Sequence, residues 1–308
     1  MTDAANRSEP QFFSIYELGW QRGRGPKITS GLNIRPISHD ADSGSCTYMA
    51  QLPSGWRFHE DADEATVEIF VLKGDLSANG QRVGAGGFVA VPKQCGPCEL
   101  STEAGAHVYL WWTPQWPSGY YYNSDVYVTK VWQEPWVASE MPGIQHGIMH
   151  KSLRVPDPAG GAMHGGPAGL LRFIIQVPGF HDHRQEFHHN CWEEIIWLSG
   201  DFLMPERGFC GPGTYLSNPP DHIHGVMMTQ RGNIELIHTS TPIGVEFVPY
   251  PSGEDLTAHY LDNSSWLDDP VPKTEEWKER SEYRDFMLPR ADYQAWLDAG
   301  AGRVEPVR

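Results

Sequence analysis

The sequence predicts an all-β protein of two barrels in tandem, closed by a short, partly helical C-terminal appendage. Three observations carry this expectation. Two halves of the chain repeat one another, each copy is written in short strands with Gly- and Pro-rich turns, and the composition changes to helix formers after about Pro251.

The repeat is read directly from the residues. Val67-Glu68-Ile69-Phe70-Val71-Leu72-Lys73-Gly74-Asp75-Leu76 returns as Glu193-Glu194-Ile195-Ile196-Trp197-Leu198-Ser199-Gly200-Asp201-Phe202, and Gly84 to Pro92 returns as Gly211 to Pro219. Upstream, Leu52-Pro53-Ser54-Gly55-Trp56 answers to Val177-Pro178-Gly179-Phe180, and Phe58-His59 to Phe187-His188. Each copy is therefore a strand ending in Pro and Gly, a polar loop with His, an apolar strand closed by Gly-Asp, and a Gly-rich turn before another strand. Neither copy shows a helical period. The breaker-rich segments Met141-Pro142-Gly143 and Pro156 to Gly161 lie between the copies, so the expected domains are 1–140, 141–250 and the extension 251–308. Within that extension Thr274 to Met287 and Arg290 to Ala299 read as helices, packed by Trp277, Phe286 and Trp296.

Bulk composition removes several function classes. With 308 residues the chain is long enough for two cores. Its 39 Asp and Glu against 23 Lys and Arg give a formal charge of −16, which repels phosphate backbones and anionic lipid. No apolar run approaches the ~20 residues of a membrane span, and Met1 to Pro10 lacks the basic start and apolar stretch of a signal peptide. A soluble cytoplasmic protein with a small-molecule substrate is expected, with neither nucleic acid nor membrane as partner. Cys46, Cys95, Cys98, Cys191 and Cys210 are too few and too unevenly placed for a disulfide framework and read as reduced thiols.

The second copy resembles the cupin superfamily, whose barrels are double-sheet jelly rolls. The family's first motif is a Gly, a His-x-His pair, a Glu and a further Gly; its second is a Gly-rich turn followed by Pro-x-Gly-x-x-His. Gly179, His188, His189, Glu193 and Gly200 match the first, and Gly211, Gly213, Pro219 and His224 match the second, with Asp221 at the motif's Gly. The resemblance covers about residues 30 to 240 and implies tandem double-stranded β-helix (jelly-roll) barrels with a metal site in the second. It implies the ligands His188, His189, Glu193 and His224, with His183, Glu186 and His222 in reserve. The first ligand stays open, because strict two-residue spacing joins Phe187 to His189 or Glu186 to His188.

Strand alternation puts Glu193, Ile195 and Trp197 on one side and Glu194, Ile196 and Leu198 on the other. A carboxylate on an apolar barrel face must be paired or bound to metal. His with carboxylate suits one divalent transition metal, Fe(II) first and Mn, Ni, Zn or Cu as alternatives. The first copy has Val67 for Glu193 and Pro97 for His224, which reads as a degenerate metal site in a structural or substrate-shaping barrel. Cys95-Gly96-Pro97-Cys98 has the redox tetrapeptide spacing, but a strand rather than a helix is expected after it. Cys191, two residues before Glu193, reads either as a neighbour of the metal site or, as a buried free Cys more often is, as packing.

The resemblance implies a metal-dependent enzyme, foremost a non-haem Fe(II) oxygenase or dioxygenase, whose pocket Phe187, Trp197 and Tyr215 would shape. The rival expectations are a metal-dependent isomerase or lyase and a non-catalytic binding module. A homo-oligomer built through barrel edges is compatible with the family, although two barrels in one chain already mimic a dimer.

Overall fold

The computed structural model describes residues 4–60, 64–93, 95–115, 125–134, 136–139, 147–154, 169–176, 179–182, 184–188, 190–204, 207–241, 243–249 and 281–286. The chain divides between Glu134 and Pro135 into two compact units, a few residues before the boundary expected near 140.

In the first unit the larger sheet runs, in spatial order, Ala5–Asn6, Asn33–His39, Cys46–Leu52, Ala106–Thr113, Thr66–Gly74, Gly87–Val91 and Tyr127–Lys130, with Gln21–Arg22 beside Asn33–His39. The smaller sheet runs Arg57–Glu60, Cys98–Ser101, Leu76–Ala78 and Gln81–Val83. The interior is apolar, and Val67, Ile69, Val71, Val89, Val91 and Leu110 are all fully buried. Alternation thus delivers the residues that face the core, and β-branched side chains fill it.

In the second unit Val137–Ala138, Ile148–Ser152, Leu171–Gln176, Asn233–Thr239, Glu193–Gly200 and Thr214–Asn218 lie side by side in that order. A smaller sheet runs His181–Asp182, Met227–Met228, Phe202–Met204 and Gly208–Cys210, and Arg184–His188 pairs with Val245–Pro249.

The repeat is exact in its irregularities. Thr66–Gly74 pairs with Ala106–Thr113 through a bulge that skips Leu72, and Glu193–Gly200 pairs with Asn233–Thr239 through a bulge that skips Leu198, the same position of the other copy. Both strands end in a glycine with positive φ, Gly74 at 86° and Gly200 at 77°. A Cβ would sit 2.0 Å from the Gly105 carbonyl oxygen in the first case and 1.9 Å from that of Gly232 in the second, so no other residue fits. The following aspartate ties the turn to the neighbouring loop: Asp201 accepts the Gln230 and Arg231 amides at 3.0 and 2.8 Å, and Asp75 accepts the Ala104 amide at 3.4 Å.

One expected correspondence is corrected. Arg57 pairs with Ser101, and His181 with Met228, so strand pairing sets Arg57 against His181 and His59 does not answer to His188. His59 is exposed and pairs with Glu99. The tetrapeptide Cys95 to Cys98 leads into the strand Cys98–Ser101, and all five cysteines are free thiols.

Of the appendage, Ser281–Phe286 is a single stretch of 3₁₀ helix, with Tyr283 and Phe286 buried and the Phe286 ring 6.3 Å from Phe173. The rest of the expected helices, with Trp277 and Trp296, lies outside the described residues. Among the described residues no helix is long and apolar enough to cross a membrane.

Candidate metal centre

Four side chains from three places in the sequence meet inside the second unit. The strand Arg184–His188 carries Glu186 and His188 on one face, both buried, and turns Phe187 to the other, where it pairs with Glu246. Glu193 opens the next strand and His224 ends the loop after Pro219. The backbones of Glu186 and His224 bond each other reciprocally, at 2.7 and 2.9 Å, which fixes these two residues together. The Asp221 amide donates to the His188 carbonyl at 2.7 Å. Asp221 has φ 63°, so the site where the motif has Gly keeps the left-handed backbone, which Asp tolerates better than most residues.

His224 Nε2 lies 3.4 Å from Glu186 Oε1 and 3.3 Å from Glu193 Oε2, and His188 Nε2 lies 3.7 Å from Glu193 Oε1. One ligand atom each of Glu186, His188 and His224 falls within 4.8 Å of the others. His224 Nδ1 is 3.0 Å from the His222 carbonyl oxygen. A carbonyl only accepts, so Nδ1 carries the hydrogen and the neutral ring presents Nε2 as a lone pair.

Several of these atoms lack a hydrogen bond: His188 Nδ1 and Nε2, Glu193 Oε2 and His224 Nε2 are buried and without a partner of suitable geometry. Each such group costs about 1–3 kcal/mol when left unsatisfied. Two imidazoles and two carboxylates converging in this state fit a first-row divalent cation.

Electrostatics in the metal-free chain agree with that fit. Burial works against the charged form of His224, but close contact with Glu186 and Glu193 outweighs it and lifts the imidazole to about 10. Burial likewise opposes the shifts of His188 and Glu193, yet the Glu193 and Glu186 charges raise His188 and the two imidazoles hold Glu193 below the usual carboxylate range. Cys191 is pushed up to about 12 by burial and by Glu193, so it stays a thiol at neutral pH.

Of the expected site residues the structure brings together His188, Glu193 and His224, and adds Glu186 from the reserve. Its signal was available: Glu186-Phe187-His188 keeps the two-residue spacing that places both side chains on one face. His189 and His183 lie outside the described residues. His222 stands aside, its Nε2 2.6 Å from Arg207 Nη2.

The expected pocket aromatics are corrected. Phe187 is turned away by alternation, and Tyr215 donates to Glu194 Oε2 at 3.0 Å on the opposite side of the strand from Glu193. Trp197 shares the face of Glu193 but is fully buried against Phe202, with ring centroids 5.2 Å apart, and it is Phe202 that reaches the cavity. That cavity, about 70 Å³, is lined by the candidate ligands Glu186, His188 and Glu193 and by apolar walls such as Ile195 and Ile237. It also receives Arg172, His150, Gln176 and Glu235, which the sequence reading did not single out. The only trace of them is a polar residue at an inward position of an otherwise apolar strand, as in Leu171-Arg172-Phe173 and Ile234-Glu235-Leu236.

No family model and no curated protein matches the sequence. Solved structures do resemble it. A candidate dioxygenase from Nostoc punctiforme aligns over 79% of this chain and 87% of its own, at 18% identity and a TM-score of 0.61. Protein Ylba from E. coli aligns over 78% and 93%, at 12% identity and 0.51. Oxalate decarboxylase from Bacillus subtilis aligns over 85% of both chains, at 11% identity and 0.50. With these likenesses added to the paired bulges, the paired glycines and the placement of the motif residues, the chain has the cupin fold, built twice.

Proposed function

We propose that the second unit binds one divalent transition metal through Glu186, His188, Glu193 and His224, and that the protein is a non-haem Fe(II) oxygenase acting on a small organic substrate. The observation that carries this reading is the buried convergence of two imidazoles and two carboxylates with unsatisfied atoms at its centre. Fe(II) held there would supply dioxygen activation, with positions left open for dioxygen and a substrate oxygen. The chain's own residues do the rest. The His222 carbonyl holds the His224 ring in one tautomer, and the backbone pair Glu186 with His224 sets the spacing of two ligands. Ile195, Phe202 and Ile237 keep water from the reacting atoms. The likeness to a candidate dioxygenase supports the oxygen reading.

A lyase is the second reading, favoured by Glu235. Burial first, and then the charges of Glu193 and Glu186, push its carboxyl up to about 8, so it keeps a proton at neutral pH beside the cavity. Such a group can deliver a proton to a carbanion. Oxalate decarboxylase, of like fold, has Mn(II) centres.

Metal analysis of the purified protein is the first test, with about one transition metal per chain expected and most of it lost in Glu193→Ala and His224→Ala. Oxygen uptake by the Fe(II)-loaded protein against small ketones, diketones and organic acids is the second. Turnover undiminished under argon would replace the oxygenase by the lyase, and metal retained in full by both variants would remove the site.

A further inference from the structure

We infer that Asn218 is a hydrogen-bonding residue of the metal centre, its carboxamide directed to a small ligand that the metal takes up beside Glu193. The inference rests on the metal reading above and adds to it a residue outside the ligand set.

Asn218 closes the strand Thr214–Asn218 and pairs with Glu193, the first residue of the strand Glu193–Gly200. Directly paired residues of an antiparallel ladder put their side chains on one face, with Cβ atoms about 4.5–5.5 Å apart. The carboxamide therefore stands next to the Glu193 carboxylate. From Asn218 the chain runs through Pro219 into the loop that returns His224 Nε2 to 3.3 Å from Glu193 Oε2. Two candidate ligands thus bracket this one residue.

Asn218 is 1% exposed, and neither its Nδ2 nor its Oδ1 has a hydrogen bond. A carboxamide offers two donors and an acceptor, and burying it without partners is unfavourable. Asn is also a poor strand former, so the residue holds its place against two costs. A ligand that accepts a hydrogen bond beside Glu193 offsets the first of them.

The sheet limits what that ligand can be. The strands lie in the order Asn233–Thr239, Glu193–Gly200, Thr214–Asn218. The cavity walls Ile237 and Ile195 belong to the first two, whereas Asn218 belongs to the third and is not among the described residues that line the cavity. The carboxamide faces a ligand of a few atoms, water, hydroxide or a small anion, rather than the body of an organic substrate.

The repeat supplies a control. In the first unit Val91 pairs with Val67 as Asn218 pairs with Glu193. Both members of the pair are apolar there and polar here, so the frame accepts valine at this point and the carboxamide accompanies the carboxylate.

The test uses full-length protein loaded with Co(II) and titrated with azide, followed by the visible spectrum. Azide is a small anion that accepts hydrogen bonds. Wild-type protein is expected to bind it at least about tenfold more tightly than Asn218→Val or Asn218→Ala, while all three hold about one Co(II) per chain. A carboxamide satisfied only by a structural water would leave azide affinity unmoved. Equal affinity in wild type and variant, no azide binding by the loaded wild type, or loss of Co(II) from the variants would overturn the inference. Asn218→Val repeats the residue of the first unit, and Asn218→Ala decides where Asn218→Val does not fold. Metal content separates the two readings: a wild type that holds no Co(II) sinks the metal centre, whereas one that holds Co(II) and binds azide without help from Asn218 sinks only this inference.

Discussion

Glu186 keeps the two-residue interval to His188 on which the expected pair of inward-facing ligands depends. The pleat cares about the interval of two residues, and a carboxylate placed where the family has histidine still points inward. Glu186→Gln is expected to lower metal affinity by an order of magnitude or more while the protein stays folded, as measured by metal retention after dialysis and by circular dichroism. Protons compete for the same atoms. His224, lifted to about 10, is charged at neutral pH in the metal-free chain and must lose its proton to become a ligand. Apparent Mn(II) affinity should therefore rise between pH 6 and 8, by about tenfold per unit for each proton displaced; a flat profile would contradict the assignment of His224. In the metal-free protein the same raised value contributes stability that is complete below about pH 6.5 and lost as pH climbs through about 10. His150 has the opposite sign. Its value, depressed to about 3, contributes stability above about pH 6.5 that disappears as pH falls toward 3, because the unfolded chain takes up a proton that the folded one refuses. His150→Gln should flatten the acid limb of stability against pH by at most about 1.4 kcal/mol per unit. At this scale His188, Glu193 and His224 were legible because they lie in contiguous motifs. Arg172, Gln176 and Glu235 were not, since each is one polar residue in a strand whose partners are set by non-local pairing.

Among the elements, the strand closed by Gly-Asp is the most tightly specified. Gly200→Ala would drive a Cβ to 1.9 Å from the Gly232 carbonyl in a left-handed backbone, so neighbouring strands must shift. A loss of several kcal/mol is expected. Gly179 is a matched comparison, with φ 78° but nothing within 4 Å of the added carbon. Gly179→Ala should cost about 1 kcal/mol, from backbone strain alone. Thermal unfolding of the two variants checks the contrast, and equal losses would show that the close approach at Gly200 is not what demands glycine. These elements could be read from sequence because alternation, glycine and aspartate act locally. The strand Arg184–His188 was misplaced against the first copy, because His59 and His188 look alike in sequence while strand pairing, a long-range property, assigns them different neighbours.

At the scale of the whole molecule the two units share pleat, bulge and closing glycine but differ in what they enclose. Val67, Val91, Val108, Tyr48 and Leu52 stand at the positions of Glu193, Asn218, Glu235, Arg172 and Gln176. His59→Ala should leave the metal content at one per chain, and a second metal lost in that variant would reveal a centre in the first unit. The enclosed polar groups carry a stability cost that the apolar unit lacks. Asn218 is buried beside Glu193 with neither amide atom hydrogen-bonded. Asn218→Val should raise the midpoint of thermal unfolding of the metal-free protein, by an amount corresponding to about 1–3 kcal/mol; an unchanged or lower midpoint would show that the amide is satisfied after all. The coincidence of the two bulges gives the chain a built-in blank, a half with the same frame that carries Val67, Val91 and Val108 where the other carries Glu193, Asn218 and Glu235. Copying Glu193 and His224 into it would nonetheless leave the blank half-equipped. Glu186 and His188 ride on the strand Arg184–His188, beyond the residue that pairing matches to Glu60, so a transplant must carry that strand as well as Glu193 and His224.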